Sequence, residues 1–457
     1  MNTEISKTGI ATHQIDAMLK RERMLYAQRN PRSRVLSEQA AGHLMFGVPL
    51  HWMSDWGTPF ALQVARAQGA RLTDADGHAL VDFCLGDTGA MFGHSPEVVA
   101  RALRCQANRG LTTMLANEDG AEVARLLSQR FGLQRWQFAM TATDANRFVL
   151  RWLRAVTKRP VVLVFNGCYH GTVDDTFVDL VDGQPVQRPS LLGQVHELTR
   201  TTRVVEFNDL AALEVALAPG DVACVLAEPV MTNVGMVLPA PDYWARATEL
   251  IRRHGSLLVF DETHTLSSGP GGYARAHGLR ADAVVIGKAL GGGMPCAAYG
   301  FTAELAERAE QAKHAAAPGH SGIGTTLTAN LLAMAAMRAT LSELLMPEVF
   351  APMQMRAEAL AAGLQGVIER HSLPWCVSQV GARTEFQFCP SPPRDGSEAS
   401  AAMDPALEQA LHLYLLNRGL LITPFHNMML VCPDTSDADV AALEAALDAA
   451  VRELKGG

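Results

Sequence analysis

Four short apolar runs punctuate the middle of the chain: VVLVF (161–165), ACVLA (223–227), LLVF (257–260) and AVVIG (283–287). Around them, LAALEVALA (210–218) and YWARATELIRRHG (243–255) carry apolar residues at helical spacing. A strand apolar at every position is covered on both faces, and strands alternating with helices build a parallel sheet. The pattern predicts a large α/β domain over 85–345. Before it, residues 12–30 read as a charged helix. RLTDADGHALVDF (71–83) reads as a hairpin with Asp76-Gly77 as a two-residue turn. After it, MPEVFAPMQMRAEALAAGLQGVIERH predicts a long amphipathic helix and TEFQFCP a strand. DADVAALEAALDAAVREL predicts a last helix capped by Ser436 or Asp437. SPPRDGSEAS (391–400) is a loop by composition. The blocks 1–84 and 346–457 are each too small to stand alone, so they are expected to pair as a smaller α+β domain.

Composition narrows the class. With 48% hydrophobic and 19% charged residues, the chain is too apolar for disorder. A net charge of −8 without a basic stripe argues against nucleic acid as a partner. No apolar run has membrane-spanning length, and the N-terminal residues lack the apolar core of a signal peptide. The eight cysteines stand singly with no CxxC pair, which argues against both a disulfide framework and a structural metal site. The expectation is a cytoplasmic globular protein.

In an open parallel sheet, ligands gather at the carboxyl ends of the strands. The residues that follow the four runs are Asn166-Gly-Cys-Tyr169-His170-Gly171, Glu228-Pro229, Asp261-Glu262-Thr263-His264, and Lys288 before Gly291-Gly292-Gly293. A lone acid there is more often a cap or a surface group, and a lone lysine is more often solvated. Polar groups at all four ends together point to one site. Lys288, in a partly desolvated cleft, can form an imine as the neutral amine. Asp261, at the buried end of LLVF, needs a cationic partner, and a pyridinium nitrogen is one. Tyr169 offers a flat ring to lie against another. Together they sketch a pyridoxal 5′-phosphate site.

These segments resemble the class III, ornithine-aminotransferase-like, pyridoxal-phosphate transaminases of fold type I, nearest the glutamate-1-semialdehyde aminomutase and β-amino-acid transaminase branch. LLVFDETHT is similar to the family's aspartate signature and VVIGKALGGGMPCAAYGF to its lysine signature. FNGCYHGTVDD is similar to the aromatic-His-Gly segment and VLAEPVMTNVGMVLP to the Glu-Pro segment. The resemblance spans about residues 40–450. It implies Lys288 as the Schiff-base lysine and Asp261 as the partner of the ring nitrogen. Tyr169 then lies over the cofactor face, and Glu228 orients groups near the ring or pairs with an arginine. It also implies a homodimer with shared sites. GIGTTLTANLLAM resembles the segment that reaches the neighbouring subunit's phosphate, which places that contact at Thr326.

Three departures from the family pattern stand out. At the phosphate end the chain has MTATDAN, where Thr141 and Thr143 offer hydroxyls and Ala142 replaces a glycine. The helix start still favours an anion, or the segment is an ordinary Thr/Asp cap. Thr263 and His264 replace Val and Gln or Met. His264 either tunes the proton on the cofactor's phenolic oxygen or is a satisfied polar neighbour. Thr325 replaces the glycine before Thr326. At the substrate end, carboxylate-binding members of the branch place an arginine in the N-terminal covering segment. FGVPLHWMSDW has none, and His51 and Trp52 occupy the region. Arg383 could take over carboxylate recognition, or form a salt bridge. The functional expectation is a transaminase passing an amino group from an amine or β-amino acid to a small keto acid, with an aminomutase or epimerase on the same fold as the alternative. A nucleotide-binding protein is disfavoured, because GKALGGG has the wrong order for a phosphate loop.

Overall fold

The computed structural model describes residues 7–456. Two compact units divide the chain. One comprises Glu97–Phe350 and Pro393–Ala401; the other comprises the residues up to Pro96, Ala351–Pro392, and those from Ala402 on.

A seven-stranded sheet forms the centre of the first unit. Its spatial order is Arg135–Ala139, Ala297–Phe301, Ala283–Ile286, Leu257–Asp261, Val222–Ala227, Val161–Phe165 and Thr202–Val205. All pairings are parallel except those of Ala297–Phe301, which runs opposite to both neighbours. The apolar runs are the inner strands, and Val161–Phe165, Val222–Ala227 and Ala283–Ile286 are buried at every position. That full burial explains why they read as unbroken runs rather than alternating ones. The helix Ala142–Thr157 packs Ala145, Phe148, Val149 and Leu153 into this core.

In the second unit, both ends of the chain contribute to one sheet. The strands Val64–Gln68, Arg71–Asp74 and Ala79–Asp82 are joined by Leu420–Leu421, which pairs in parallel with Ala79–Asp82. A three-stranded sheet of Cys376–Val380, Arg383–Gln387 and Met428–Leu430 completes it. Ser436 caps the helix Asp437–Leu454, in a capping box with Asp439.

Two local expectations are corrected. The hairpin register pairs Arg71 with Val81 and Thr73 with Ala79, and Asp74 N donates to His78 O at 3.1 Å. The connection is therefore the three residues 75–77, with only Gly77 at positive φ (+90°), not a two-residue Asp-Gly turn. Residues 391–400 are not all loop, because Gly396–Ala402 is helical. Asp395 accepts from Glu398 N at 2.8 Å as a cap, and Glu206 accepts from Gly396 N and the Ser397 hydroxyl. Those tertiary anchors override a composition rich in Ser and Pro. Among the described residues, no helix is long and apolar enough to cross a membrane, and no cluster of potential ligands could hold a metal ion.

Candidate active site

Parallel direction brings the carboxyl ends of the inner strands to one edge of the sheet. Asp261 ends its strand opposite Val285, and Lys288 lies three residues beyond that partner. Asp261 is 4% exposed. Its Oδ2 accepts from His170 Nδ1 at 3.0 Å and Asn146 Nδ2 at 2.9 Å, while Oδ1 accepts from Thr263 N at 3.1 Å. Burial alone pushes its carboxyl up, but the His170 bond and charge, with Thr263 and Asn146, hold it down at about 2. Burial likewise depresses His170, yet its bond to Asp261 outweighs this and lifts it to about 10. A buried carboxylate thus stays ionised on a buried imidazolium. Glu228 is pushed the other way, to about 7, by burial, although His170 and Thr232 oppose the rise. Thr232, not an arginine, is its hydrogen-bond partner.

Lys288 adopts φ +43°, a left-handed conformation that strains a side-chain-bearing residue. Its Nζ lies 2.8 Å from His264 Nε2. His264 heads the turn Thr265–Ser268. That turn is pinned by Glu262, which accepts from Tyr273 N at 2.9 Å, Ala274 N at 2.7 Å and the Thr265 hydroxyl.

The helix start at Thr141 approaches the same loops. Thr141 is the N-cap, accepting from Asp144 N at 3.1 Å. Thr143 Oγ1 accepts from Thr172 N at 3.2 Å. A Cβ on Gly171 would lie 2.1 Å from Thr143 Oγ1, and one on Gly287 would lie 2.9 Å from the Ala142 Cβ. The loops after two strands, Val161–Phe165 and Ala283–Ile286, therefore close tightly on the start of this helix.

Of the residues singled out from sequence, the structure brings Ala142, Thr143, Glu228, Asp261, His264 and Lys288 into linked loops. Tyr169 is 40% exposed beside His170. Thr326 is exposed, and among the described residues no hydrogen bond joins it to this network. His51, Trp52 and Arg383 belong to the other unit. There Trp52 meets Trp56 and Phe425 at ring-centroid distances of 5.7 and 6.2 Å, and His51 meets Phe46 at 6.0 Å. Arg383 is buried in its strand and donates to the Thr88 hydroxyl. Sequence reasoning missed Asn146 and gave His170 no site role. The signal for Asn146 was a polar residue on the helix's apolar stripe, in line with Val149, Leu150 and Leu153.

The donor set fits pyridoxal 5′-phosphate. It pairs an ionised buried carboxylate with a lysine at a strand end. The Nε2 of His170 and the Oγ1 of Thr263 are buried with no partner among the described residues. A helix start crowded by glycine-bearing loops lies beside them.

The family model for class-III aminotransferases matches residues 52–450. A glutamate-1-semialdehyde 2,1-aminomutase from Sorangium cellulosum is 35% identical over 407 residues, 87% of this chain and 91% of that protein. The structure of a variant glutamate-1-semialdehyde-aminomutase from Pseudomonas aeruginosa PAO1, in complex with PMP, is 46% identical. It superposes with a TM-score of 0.96, covering 97% of this chain and 99% of that one. A β-phenylalanine aminotransferase from Variovorax paradoxus is 28% identical, with a TM-score of 0.85, covering 95% and 97%.

Proposed function

The chain belongs to the class-III aminotransferases, fold-type-I enzymes that use pyridoxal 5′-phosphate on small-molecule substrates, and on that premise we propose that it is an aminomutase. Its substrate on this reading is an amino aldehyde of the glutamate-1-semialdehyde kind, and its amino group moves to the neighbouring carbon of the same molecule. The observation that carries this reading is the 46% identity over almost the whole length to an aminomutase. It favours intramolecular transfer over the intermolecular transfer expected first from sequence.

The cofactor, when bound, supplies an electron-withdrawing ring that takes up the electron pair left when a substrate C–H bond breaks. Lys288 would hold it covalently, and its Nζ would carry the proton. Asp261, ionised and fixed by His170, Asn146 and Thr263, keeps positive charge on the ring nitrogen. Tyr169 would lie against the ring, and Glu228, held by Thr232, would act on the His170–Asp261 pair through its charge. The start of the helix Ala142–Thr157, with Thr141, Ala142 and Thr143, receives the phosphate. Thr326 completes that phosphate site from a second copy, so the working unit is a homodimer, in the cytoplasm.

The test is direct. Purified enzyme is given glutamate-1-semialdehyde with no keto acid, and 5-amino-4-oxopentanoate is assayed. Steady turnover supports the aminomutase; turnover only with an added keto acid refutes it. Light scattering of the active enzyme tests the dimer, and full activity as a monomer contradicts it.

A transaminase for amines or β-amino acids is the second reading. It is favoured by the arginine-free FGVPLHWMSDW segment, the Trp52–Trp56–Phe425 ring cluster and the likeness to a β-phenylalanine aminotransferase. On this reading His51 and Trp52 face an apolar donor, and Arg383 takes the carboxylate of the keto acid. A donor panel against pyruvate and 2-oxoglutarate separates the two.

A further inference from the structure

We propose that His264 is the positioning residue for Lys288, holding the lysine nitrogen in place whenever it is not bonded to the cofactor. The inference rests on Lys288 being the cofactor's lysine. It is carried by the 2.8 Å contact between Lys288 Nζ and His264 Nε2.

An ammonium group has three donors and no lone pair. Facing it, Nε2 of a neutral imidazole must accept. Once the lysine is a neutral amine, the other tautomer lets Nε2–H donate to the amine lone pair. One side chain therefore suits both protonation states that the lysine passes through. A hydrocarbon there suits neither.

The geometry gives this contact a purpose. A lysine side chain has four rotatable bonds and loses considerable rotamer freedom when ordered. After its release, Nζ must stay within reach of a single substrate carbon, and small misplacements are costly in rate. His264 is well placed to confine it. Its backbone carbonyl accepts from Ser267 N at 3.2 Å, and Leu266 N donates to Glu262 O at 2.8 Å. Glu262, fully buried, fixes the turn through the two backbone N–H groups and the hydroxyl described above. Asp261 and His264 thus leave one rigid turn, the first toward His170 and Asn146 and the second toward Lys288.

The experiment uses the full-length chain freed of cofactor with hydroxylamine. It is pulsed with acetic anhydride at pH 8, and acetylation of Lys288 is read by peptide mass spectrometry against exposed Lys20 as internal standard. In His264→Leu the lysine nitrogen loses the 2.8 Å contact that confines it, and Lys288 is expected to label roughly tenfold faster. In His264→Gln an amide oxygen replaces the acceptor, and labelling stays within about threefold of the unaltered chain. Where the Leu variant does not fold, His264→Asn, too short to reach Nζ, takes its place with the same expectation. In the loaded enzyme, loss of the contact lowers kcat about tenfold with KM little changed, and Gln recovers most of that loss. Equal labelling of Lys288 in all variants, or slower labelling in Leu, overturns the proposal. The labelling involves no substrate, so its outcome is independent of whether the aminomutase reading stands.

Discussion

Replacing Asp261 by Asn keeps the side chain's shape and removes its charge, which isolates what the buried pair with His170 contributes. The two partners record one interaction with unequal shifts. Asp261 sits at about 2 against an ordinary 3.8, and His170 at about 10 against 6.5. The smaller shift sets the scale, because it matches what a set of charge-assisted hydrogen bonds supplies. It corresponds to about 2–3 kcal/mol. Asp261 is more acidic folded than unfolded, so its share is present above about pH 4 and is lost as pH falls toward 2. His170 is more basic folded than unfolded, so its share is complete below about pH 6.5 and is lost as pH rises through about 10. The pair is therefore fully effective between about pH 4 and 6.5.

In Asp261→Asn, His170 is buried without a counter-charge and gives up its proton. Thermal unfolding of the cofactor-free chain, followed by circular dichroism, is expected to show the variant melting a few degrees lower at pH 5–6. The gap should narrow toward pH 10 and below pH 4. In the loaded enzyme, kcat is expected to fall by roughly three powers of ten or more while cofactor remains bound, since only the charge opposite the ring nitrogen is lost. A melting gap of constant size across that range, or near-normal turnover, would refute the charge argument.

Further outcomes are expected at other positions. Borohydride reduction should fix the cofactor to the peptide containing Lys288, and Lys288→Ala should bind cofactor without covalent attachment and without measurable turnover; labelling elsewhere contradicts the assignment. Gly171→Ala places a Cβ 2.1 Å from Thr143 Oγ1 at φ +83°. Cofactor affinity, measured by fluorescence titration, should drop at least about tenfold, and an unchanged affinity means this loop does not shape the site. Glu228, pushed up to about 7 by burial, is stabilising as the neutral acid below about pH 4.5 and loses that stability as pH rises through 7. Glu228→Gln should accordingly melt near the unaltered protein at pH 4 and above it at pH 8. A large loss at both pH values would mean the ionised form is the one the fold needs.

Much of this was legible in the chain because two kinds of signal coincide. The inner strands announced themselves as unbroken apolar runs, since burial on both faces leaves no polar alternation. The residues after them were conspicuous because a fully apolar strand makes the first polar side chain stand out, as with Glu228 and Asp261. What sequence hid is of two kinds. Asn146 and His170 act through side-chain direction across loops, and no spacing rule connects residue 146 with 170 or 261. The strain at Lys288 is likewise a property of φ, visible only in coordinates. The helix Gly396–Ala402 was hidden because its anchor, Glu206, lies far away in sequence and the residues just before it, SPPRD, favour a turn.

The departures at the helix start leave its close packing in place. A glycine at position 142 lets a backbone approach an anion without hindrance. Here residue 142 carries a methyl group, and residue 143 is β-branched. The facing loops carry glycines: Gly287 opposite the Ala142 Cβ, and Gly171 opposite Thr143 Oγ1. At each pair only one side has a side chain, so the backbones still come together. The constraint then falls on Gly171 more than on residue 142. Gly171 combines a positive φ with the shorter of the two distances, so it has neither the conformation nor the room for a side chain. Ala142→Gly should consequently change cofactor affinity little, whereas Gly171→Ala changes it greatly. The opposite ranking would mean that the helix start, not the loop facing it, sets the width of the phosphate site.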